Sequence, residues 1–145
     1  GEPMPPEQAQ RAVQELKPRL EQEPKNALLR VKLGDALFDL GEWERAVVAY
    51  KEAIDVDPKL AVGHYDLGTT LLHLRRTEDA VRHLQIAVDL RPEEAQAWFN
   101  LGVAQALAGH DQEASAALKK FQQMHPQRDA WSERAGRLLE WLRSP

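Results

Sequence analysis

The chain of 145 residues contains no cysteine. This absence excludes disulfide bonds, thiolate metal sites and a cysteine nucleophile, and it leaves a cytoplasmic and a periplasmic location equally open. No apolar run approaches the roughly 20 residues that cross a bilayer, and no signal peptide is recognisable. We therefore expect no direct membrane insertion by this segment. Because the chain begins at Gly1 without a methionine, the sequence leaves open whether it is a fragment of a longer or anchored protein.

The sequence also has little that suggests nucleic-acid binding or catalysis. Its formal net charge of −4 argues against a nucleic-acid partner, which would require clustered Lys and Arg. No hydrolase, kinase or dinucleotide motif is present, and no two histidines are spaced as metal ligands on one helix face. We expect no enzyme activity, no cofactor and no metal. One exception is a candidate metal site or pH switch formed by Asp66 and His73, which lie two turns apart on one predicted helix face.

A fixed interval of 34 residues is the strongest pattern that is present. Glycine, alanine, proline and leucine all recur at this interval, which is typical of an array of supersecondary units rather than of one globular core. The recurring residues are Gly34, Gly68 and Gly102; Ala46, Ala80 and Ala114; Pro58, Pro92 and Pro126; and Leu33, Leu67 and Leu101.

Each unit reads as two antiparallel helices joined by a tight turn. In the first unit, apolar residues at helical spacing lead to Gly41, a second apolar helical pattern follows, and Asp57-Pro58 ends it. Small residues at Gly34 and Ala46 predict a close approach of the two helix backbones. Arg75 replaces the turn glycine in the second unit, and we expect a different turn there, because a left-handed non-glycine residue costs roughly 1–2 kcal/mol. The predicted units are 27–60, 61–94 and 95–128.

The pattern continues beyond the three units at both ends. Segment 1–26 resembles the second helix of a repeat whose first helix is missing, and Pro18 should kink or interrupt that helix. Segment 129–145 predicts a capping helix that begins after an N-cap at Asp129 and runs through Arg143. We expect all five segments to form one domain.

This arrangement resembles the tetratricopeptide repeat (TPR) family over Ala27 to Arg128. The third unit, which opens with Ala95 and contains Trp98 and Gly102, is close to the family's signature, although Arg30 and His64 replace the tryptophan in the other units. The resemblance implies an all-α fold: a right-handed superhelical array of antiparallel helix pairs, or α-solenoid, with a C-terminal capping helix. It also implies that the first helices of successive units line a concave groove.

The resemblance assigns this groove to residues of the first helices. The same residues remain when the core of each helix pair is chosen from the periodicity. An apolar stripe flanked by polar groups is typical of a protein-binding surface. The candidate partner-binding residues are Val31, Lys32, Asp35, Phe38, Tyr65, Asp66, Thr69, Leu72, His73, Gln96, Phe99, Asn100 and Val103, with Leu28, Asp39, Val62 and Leu107 beside them.

Alternatives stay open for several of these residues. Val31, Tyr65 and Phe99 share one slot in the repeat, so they either pack between units or contact a partner, or do both. The amide of Asn100 can grip a peptide backbone or point into solvent. If the groove binds a partner, Phe99→Ala or Asn100→Ala should weaken capture without loss of helix. The charged candidates either set a charge preference or form a solvated helix face.

The leading hypothesis is a protein–protein interaction module that acts as an adaptor or scaffold and binds a peptide or helix of another protein in its groove. The alternative is a structural scaffold, a homo-oligomer that assembles through its terminal helices. Chaperone-tail peptides should bind poorly, because Val31, Asp35, Gln96 and Asn100 stand where a carboxylate-binding TPR subtype has cations and asparagine, and no cation replaces the missing basic pair.

Overall fold

The computed structural model describes residues 2–145, and Gly1 lies outside this range. Within it the chain forms eight α-helices and no strand, so the all-α expectation is confirmed. No helix in the described range is both long and apolar enough to cross a membrane. The helices are α1 (Pro6–Gln22), α2 (Ala27–Asp39), α3 (Trp43–Val56), α4 (Ala61–His73), α5 (Thr77–Leu90), α6 (Ala95–Leu107), α7 (Asp111–Met124) and α8 (Ala130–Arg143).

The helices stack as repeated antiparallel pairs. The first helices α2, α4 and α6 each have 13 residues, and the second helices α3, α5 and α7 each have 14. Each first helix packs mainly on its own second helix, and α2, α4 and α6 also lie side by side. One apolar core runs from α1 to α7. A second cluster joins α6, α7 and α8 through Phe99, Leu118, Phe121, Ala135 and Leu139.

All three turns inside the pairs have the same geometry, including the one without glycine. Gly41, Arg75 and Gly109 have φ values of 77°, 61° and 82°. The amide that follows Arg75 donates to the Leu71 carbonyl at 2.9 Å, and the glycine turns contain the same bond, which is the Schellman arrangement. The expectation of a different turn at Arg75 is therefore wrong: packing of α4 on α5 holds the arginine in the left-handed region despite its strain.

The repeating glycines accommodate large side chains of the second helix. A Cβ atom added at Gly34 would lie 2.6 Å from Tyr50 Cδ1, and one added at Gly68 would lie 2.6 Å from Leu84 Cγ. At Gly102 the nearest atom would be Leu118 Cγ, at 2.8 Å. The predicted close contact at these glycines is present, but it joins a glycine to a side chain and not mainly backbone to backbone. A buried side chain thus lies directly over each glycine.

A shared hydrogen bond explains why three different residues occupy the tryptophan slot. Trp98 Nε1 donates to the Pro92 carbonyl at 2.8 Å. Arg30 Nη2 donates to the Pro24 carbonyl at 2.9 Å, and His64 Nε2 lies 2.8 Å from the Pro58 carbonyl. The slot therefore requires an N–H donor, directed at the proline carbonyl that follows the preceding helix, rather than an indole ring.

That bond also defines the proton positions in a second interaction. Because a carbonyl only accepts, His64 Nε2 carries a proton, and in the neutral imidazole its Nδ1 is then an acceptor. The facing nitrogen, 3.2 Å away, is His83 Nδ1, which is the donor when His64 is in this tautomer. His64 is buried, and His83, which faces it, is only partly exposed.

The helices α1 and α8 lie at the two ends of the array. Helix α1 runs continuously through Pro18, so of the predicted kink or interruption the interruption is absent. Gln14 and Pro18 are both exposed, and water can reach the carbonyl that the proline cannot bond. At the other end, Asp129 caps α8 as predicted: its side chain accepts from the Ser132 amide at 3.0 Å, and Ser132 Oγ accepts from the Asp129 amide at 2.9 Å.

Candidate functional site

The inner wall formed by α2, α4 and α6 contains an open hollow of about 760 Å³. We call it the central hollow. Nine of the thirteen candidate residues border it, together with four further residues. The candidates are Phe38, Tyr65, Thr69, Leu72, His73, Gln96, Phe99, Asn100 and Val103, and the others are Arg75, Leu107, Trp131 and Arg134.

Three of the four remaining candidates lie elsewhere on the wall. Lys32 and Asp35 border a separate hollow of about 300 Å³ beside α1. Asp66 borders one of about 290 Å³ between the second and third pairs. The N-terminal segment covers the wall at the first pair, where the Met4 amide donates to Asp39 Oδ2 at 3.1 Å. The predicted groove is therefore open at its centre and partly covered at its first end.

Two of the apolar candidates are core residues, so of the alternatives left open for their slot the structure contains packing between units. Val31 is 4% exposed and Phe99 is 1% exposed. Phe99 makes edge contacts with Phe121 and Trp131, at centroid separations of 5.1 and 5.3 Å. Phe99 therefore borders the central hollow while almost all of its side chain is covered by its neighbours. Phe99→Ala would therefore remove core packing, and it is not a clean probe of partner binding.

Tyr65 and Asn100 form a polar network on the wall. Asn100 Nδ2 donates to the Tyr65 hydroxyl at 3.1 Å and to Thr69 Oγ1 at 3.3 Å. Its Oδ1 accepts from Gln96 Nε2 at 3.3 Å. Burial raises the pKa of Tyr65 above its usual range, so its hydroxyl is a neutral donor and acceptor. The Asn100 amide is thus bonded within the chain, and a partner would have to compete for it.

The candidate pair Asp66 and His73 does not form a site. His73 packs edge-on against Phe38, with centroids 5.0 Å apart, and lies 5.1 Å from the Trp43 ring. Asp66 instead borders the separate hollow between the second and third pairs. No group of three metal-ligating side chains occurs among residues 2–145.

Three residues that border the hollow were not predicted from the sequence, namely Arg75, Trp131 and Arg134. The Arg134 guanidinium lies 5.4 Å from the centre of the Phe99 ring and 5.1 Å from that of Trp131, a cation–π arrangement. The signal was available, since Arg134 follows Asn100 by one period of 34. Because a cation does border this wall, the stated reason for expecting weak binding of chaperone tails no longer holds.

The charge of the central hollow is opposite in sign to that of the whole chain. Arg75 and Arg134 border it and no carboxylate does, although the net charge of the chain is −4. Phe38, Leu72 and Leu107 supply apolar surface beside these cations. The arrangement can receive apolar side chains and can bind a negative group at its Arg134 end.

Stacked helix hairpins with an open inner wall define a helical-repeat protein of the α-solenoid class. A family model described as "Tetratricopeptide repeat" matches residues 65–139, just over half of the chain, and one described as "TPR repeat" matches residues 34–74. The chain therefore belongs to the tetratricopeptide repeat family. This is a protein-interaction fold and is generally not enzymatic.

Several solved structures have the same fold. MamA from Desulfovibrio magneticus RS-1, residues 41 to the end, has a TM-score of 0.84 and 23% identity over 90% of this chain and 74% of its own. The first TPR of Spaghetti (RPAP3), bound to the HSP90 peptide SRMEEVD, has a TM-score of 0.76 and 20% identity over 81% and 94%. The Arabidopsis OM64 TPR domain gives 0.73 and 20% over 79% and 94%. At these identities the likeness shows the fold alone. A search of curated protein sequences found no significant match.

Proposed function

We propose that the protein is an adaptor that binds a segment of a partner protein in the central hollow. The segment carries at least one apolar side chain and a carboxylate. The observation that carries this proposal is a hollow of about 760 Å³ with two arginines and no acidic residue on its border. The peptide bound to the first TPR of RPAP3 shows that a related fold can bind an acidic peptide.

The positions of the charges suggest how the segment is oriented. Arg134 lies at the α8 end of the hollow, and Asp35 and Asp39 lie towards the first pair. A segment that is acidic at one end only would therefore have its carboxylate beside Arg134. Leu107 is 50% exposed and offers an apolar contact nearby. We expect affinity on the order of micromolar for a short peptide, because ordering the peptide offsets much of the contact energy.

Selection from a library of short random peptides on the intact protein tests this proposal without knowledge of the natural partner. We expect the selected peptides to be enriched in Asp or Glu together with apolar residues. Their binding is then measured by fluorescence anisotropy with three variants. Leu107→Glu and Arg134→Glu should each weaken binding by at least about tenfold, since each places a carboxylate in the hollow.

Val48→Glu is the matched control, because Val48 is 56% exposed and lies on α3, outside the hollow. It should leave peptide binding unchanged, and circular dichroism should show equal helix content in all variants. Enrichment of basic peptides would contradict the proposed chemistry. Binding that survives both hollow variants would contradict the proposed location.

A further inference from the structure

Two histidine rings face each other between the helices of the second pair. His64 lies on α4 and His83 on α5, and their Nδ1 atoms are 3.2 Å apart. The rings are nearly parallel, with 22° between their planes. His64 Nε2 also lies 2.8 Å from the Pro58 carbonyl, so this ring is hydrogen bonded at both of its nitrogens. The two rings therefore connect α4 to α5 and to the loop that precedes α4.

The contact requires the two neutral rings to be in opposite tautomers. Because the Pro58 carbonyl only accepts, His64 donates through Nε2, and its neutral ring accepts at Nδ1. In that state His83 carries its hydrogen on Nδ1 and has none on Nε2. The geometry thus determines which nitrogen of each ring can take up a further proton.

The two possible protonations have different effects on the hydrogen bond. A proton taken up by His83 enters at Nε2, which leaves the bond in place but brings a charge into a half-buried position. A proton taken up by His64 enters at Nδ1, where it removes the acceptor that His83 uses. When both rings are charged, each Nδ1 is a donor and the two charges repel. The contact is therefore lost when both rings are protonated.

The groups around His83 do not favour a positive charge there. Burial, and secondly the neighbouring His64, lower the pKa of His83 below its usual range, and Arg82 and Lys51 add to this effect. Asp79 acts in the opposite direction, but it is itself paired with Arg82. Helix α6, which also packs on α5, contains no charged residue. Mild acid therefore acts against this contact from both of its rings.

We propose that His64 and His83 form an acid-sensitive latch within the second helix pair, which holds α5 against α4 at neutral pH and releases when both rings are protonated. The two residues occur together only in this unit. The other units have Ala49 and Ala117 at the position of His83, and neither has a histidine at the position of His64. The latch acts within one helix pair, and it holds whatever the central hollow binds.

The sign of the effect on stability follows from proton binding. An unfolded histidine takes up its proton near its ordinary pKa of 6.5, whereas folded His83 does so at a lower pH. Between these two values the unfolded state binds more protons than the folded state, so the free energy of unfolding falls as the pH falls. Above 6.5 the contribution of His83 is fully present. The second pair should therefore be weakened in mild acid.

His83→Asn separates the latch from a general effect of acid, because the Asn amide can donate to a neutral His64 or accept from a protonated one. Urea unfolding followed by circular dichroism is compared at about pH 7.5 and about pH 5. A histidine that stayed neutral in the folded state would raise the unfolding equilibrium constant by about thirtyfold over this range. We expect the rise in the wild type to exceed that in His83→Asn by at least about fivefold. His110→Asn, at a histidine that contacts Glu78 outside the latch, is the control and should keep the acid dependence of the wild type.

Nitrogen-15 NMR of the histidine rings tests the contact itself, and it needs only the wild-type protein. At neutral pH, His64 should be the Nε2–H tautomer and His83 the Nδ1–H tautomer. His83 should also titrate at a lower pH than an unfolded histidine. The Nε2–H tautomer on both rings, titration of His83 at or above the ordinary range, or equal acid dependence of the wild type and His83→Asn would each overturn the proposal.

Discussion

Gly68 and Gly136 occupy the same repeat register, two periods apart, yet the same substitution should change stability in opposite directions. A Cβ atom at Gly68 would lie 2.6 Å from Leu84 Cγ and 3.2 Å from the Leu84 backbone nitrogen, whereas one at Gly136 would meet nothing within 4 Å. Leu84 is fully buried, so its side chain has little room to move. Alanine favours a helix over glycine by about 0.5–1 kcal/mol, and overpacking a core costs about 1–3 kcal/mol.

Gly68→Ala should therefore lower the free energy of unfolding by about 0.5–2 kcal/mol. Gly136→Ala should raise it by about 0.5–1 kcal/mol, since only the helix preference changes. Urea unfolding followed by far-ultraviolet circular dichroism measures both, and the bulkier Gly68→Leu should distort or unfold the array. If Gly68→Ala is at least as stable as the wild type, the tight contact at the repeating glycines does not exclude a side chain there.

Three further substitutions test other parts of the structure. Phe99→Ala should lower the free energy of unfolding by about 3–5 kcal/mol, measured by urea unfolding, and a loss under about 1 kcal/mol would contradict its place in the core. Arg75→Gly should raise that free energy by about 1 kcal/mol, because glycine relieves the left-handed strain; thermal unfolding should show the rise, and unchanged stability would argue against that conformation. Asp129→Ala should fray α8, seen as faster amide hydrogen exchange there. Hydrogen bonds from the Ser132 amide, and secondarily from His125, lower the pKa of Asp129. In the wild type the cap should therefore persist above pH 3.8 and weaken as the pH falls through the lower pKa of the folded state.

The repeat architecture could be predicted because its signals are local and periodic. The 34-residue interval can be read directly from the sequence. The prolines after the second helices and the cap at Asp129 act on residues close to them in the chain, and the structure contains all of these features. The turn at Arg75 could not be predicted from local preference, because packing of α4 on α5 overrides the cost of a left-handed arginine. Pro18 is a similar case, since an exposed carbonyl makes the helix interruption unnecessary.

The candidate site was harder to predict because it depends on contacts between units. Helical spacing shows which residues share a face, but it cannot show that Phe99 is covered by Trp131 from α8. Arg134 is the exception, because extending the register past the third unit would have placed it beside Asn100. Site prediction in a repeat protein therefore benefits from applying the period to the terminal helices as well.

The arrangement of the two end helices has a consequence for how such a protein can grow. Helix α1 corresponds to the second helix of a unit and α8 to the first helix of a unit. The three complete helix pairs therefore lie between two single helices. Any whole number of 34-residue units placed between them would meet the same two surfaces. Tandem duplication of residues 61–94 should thus yield a longer inner wall, while each terminal helix keeps its present neighbour. The length of the inner wall can therefore change, in evolution or by design, by one 34-residue unit at a time.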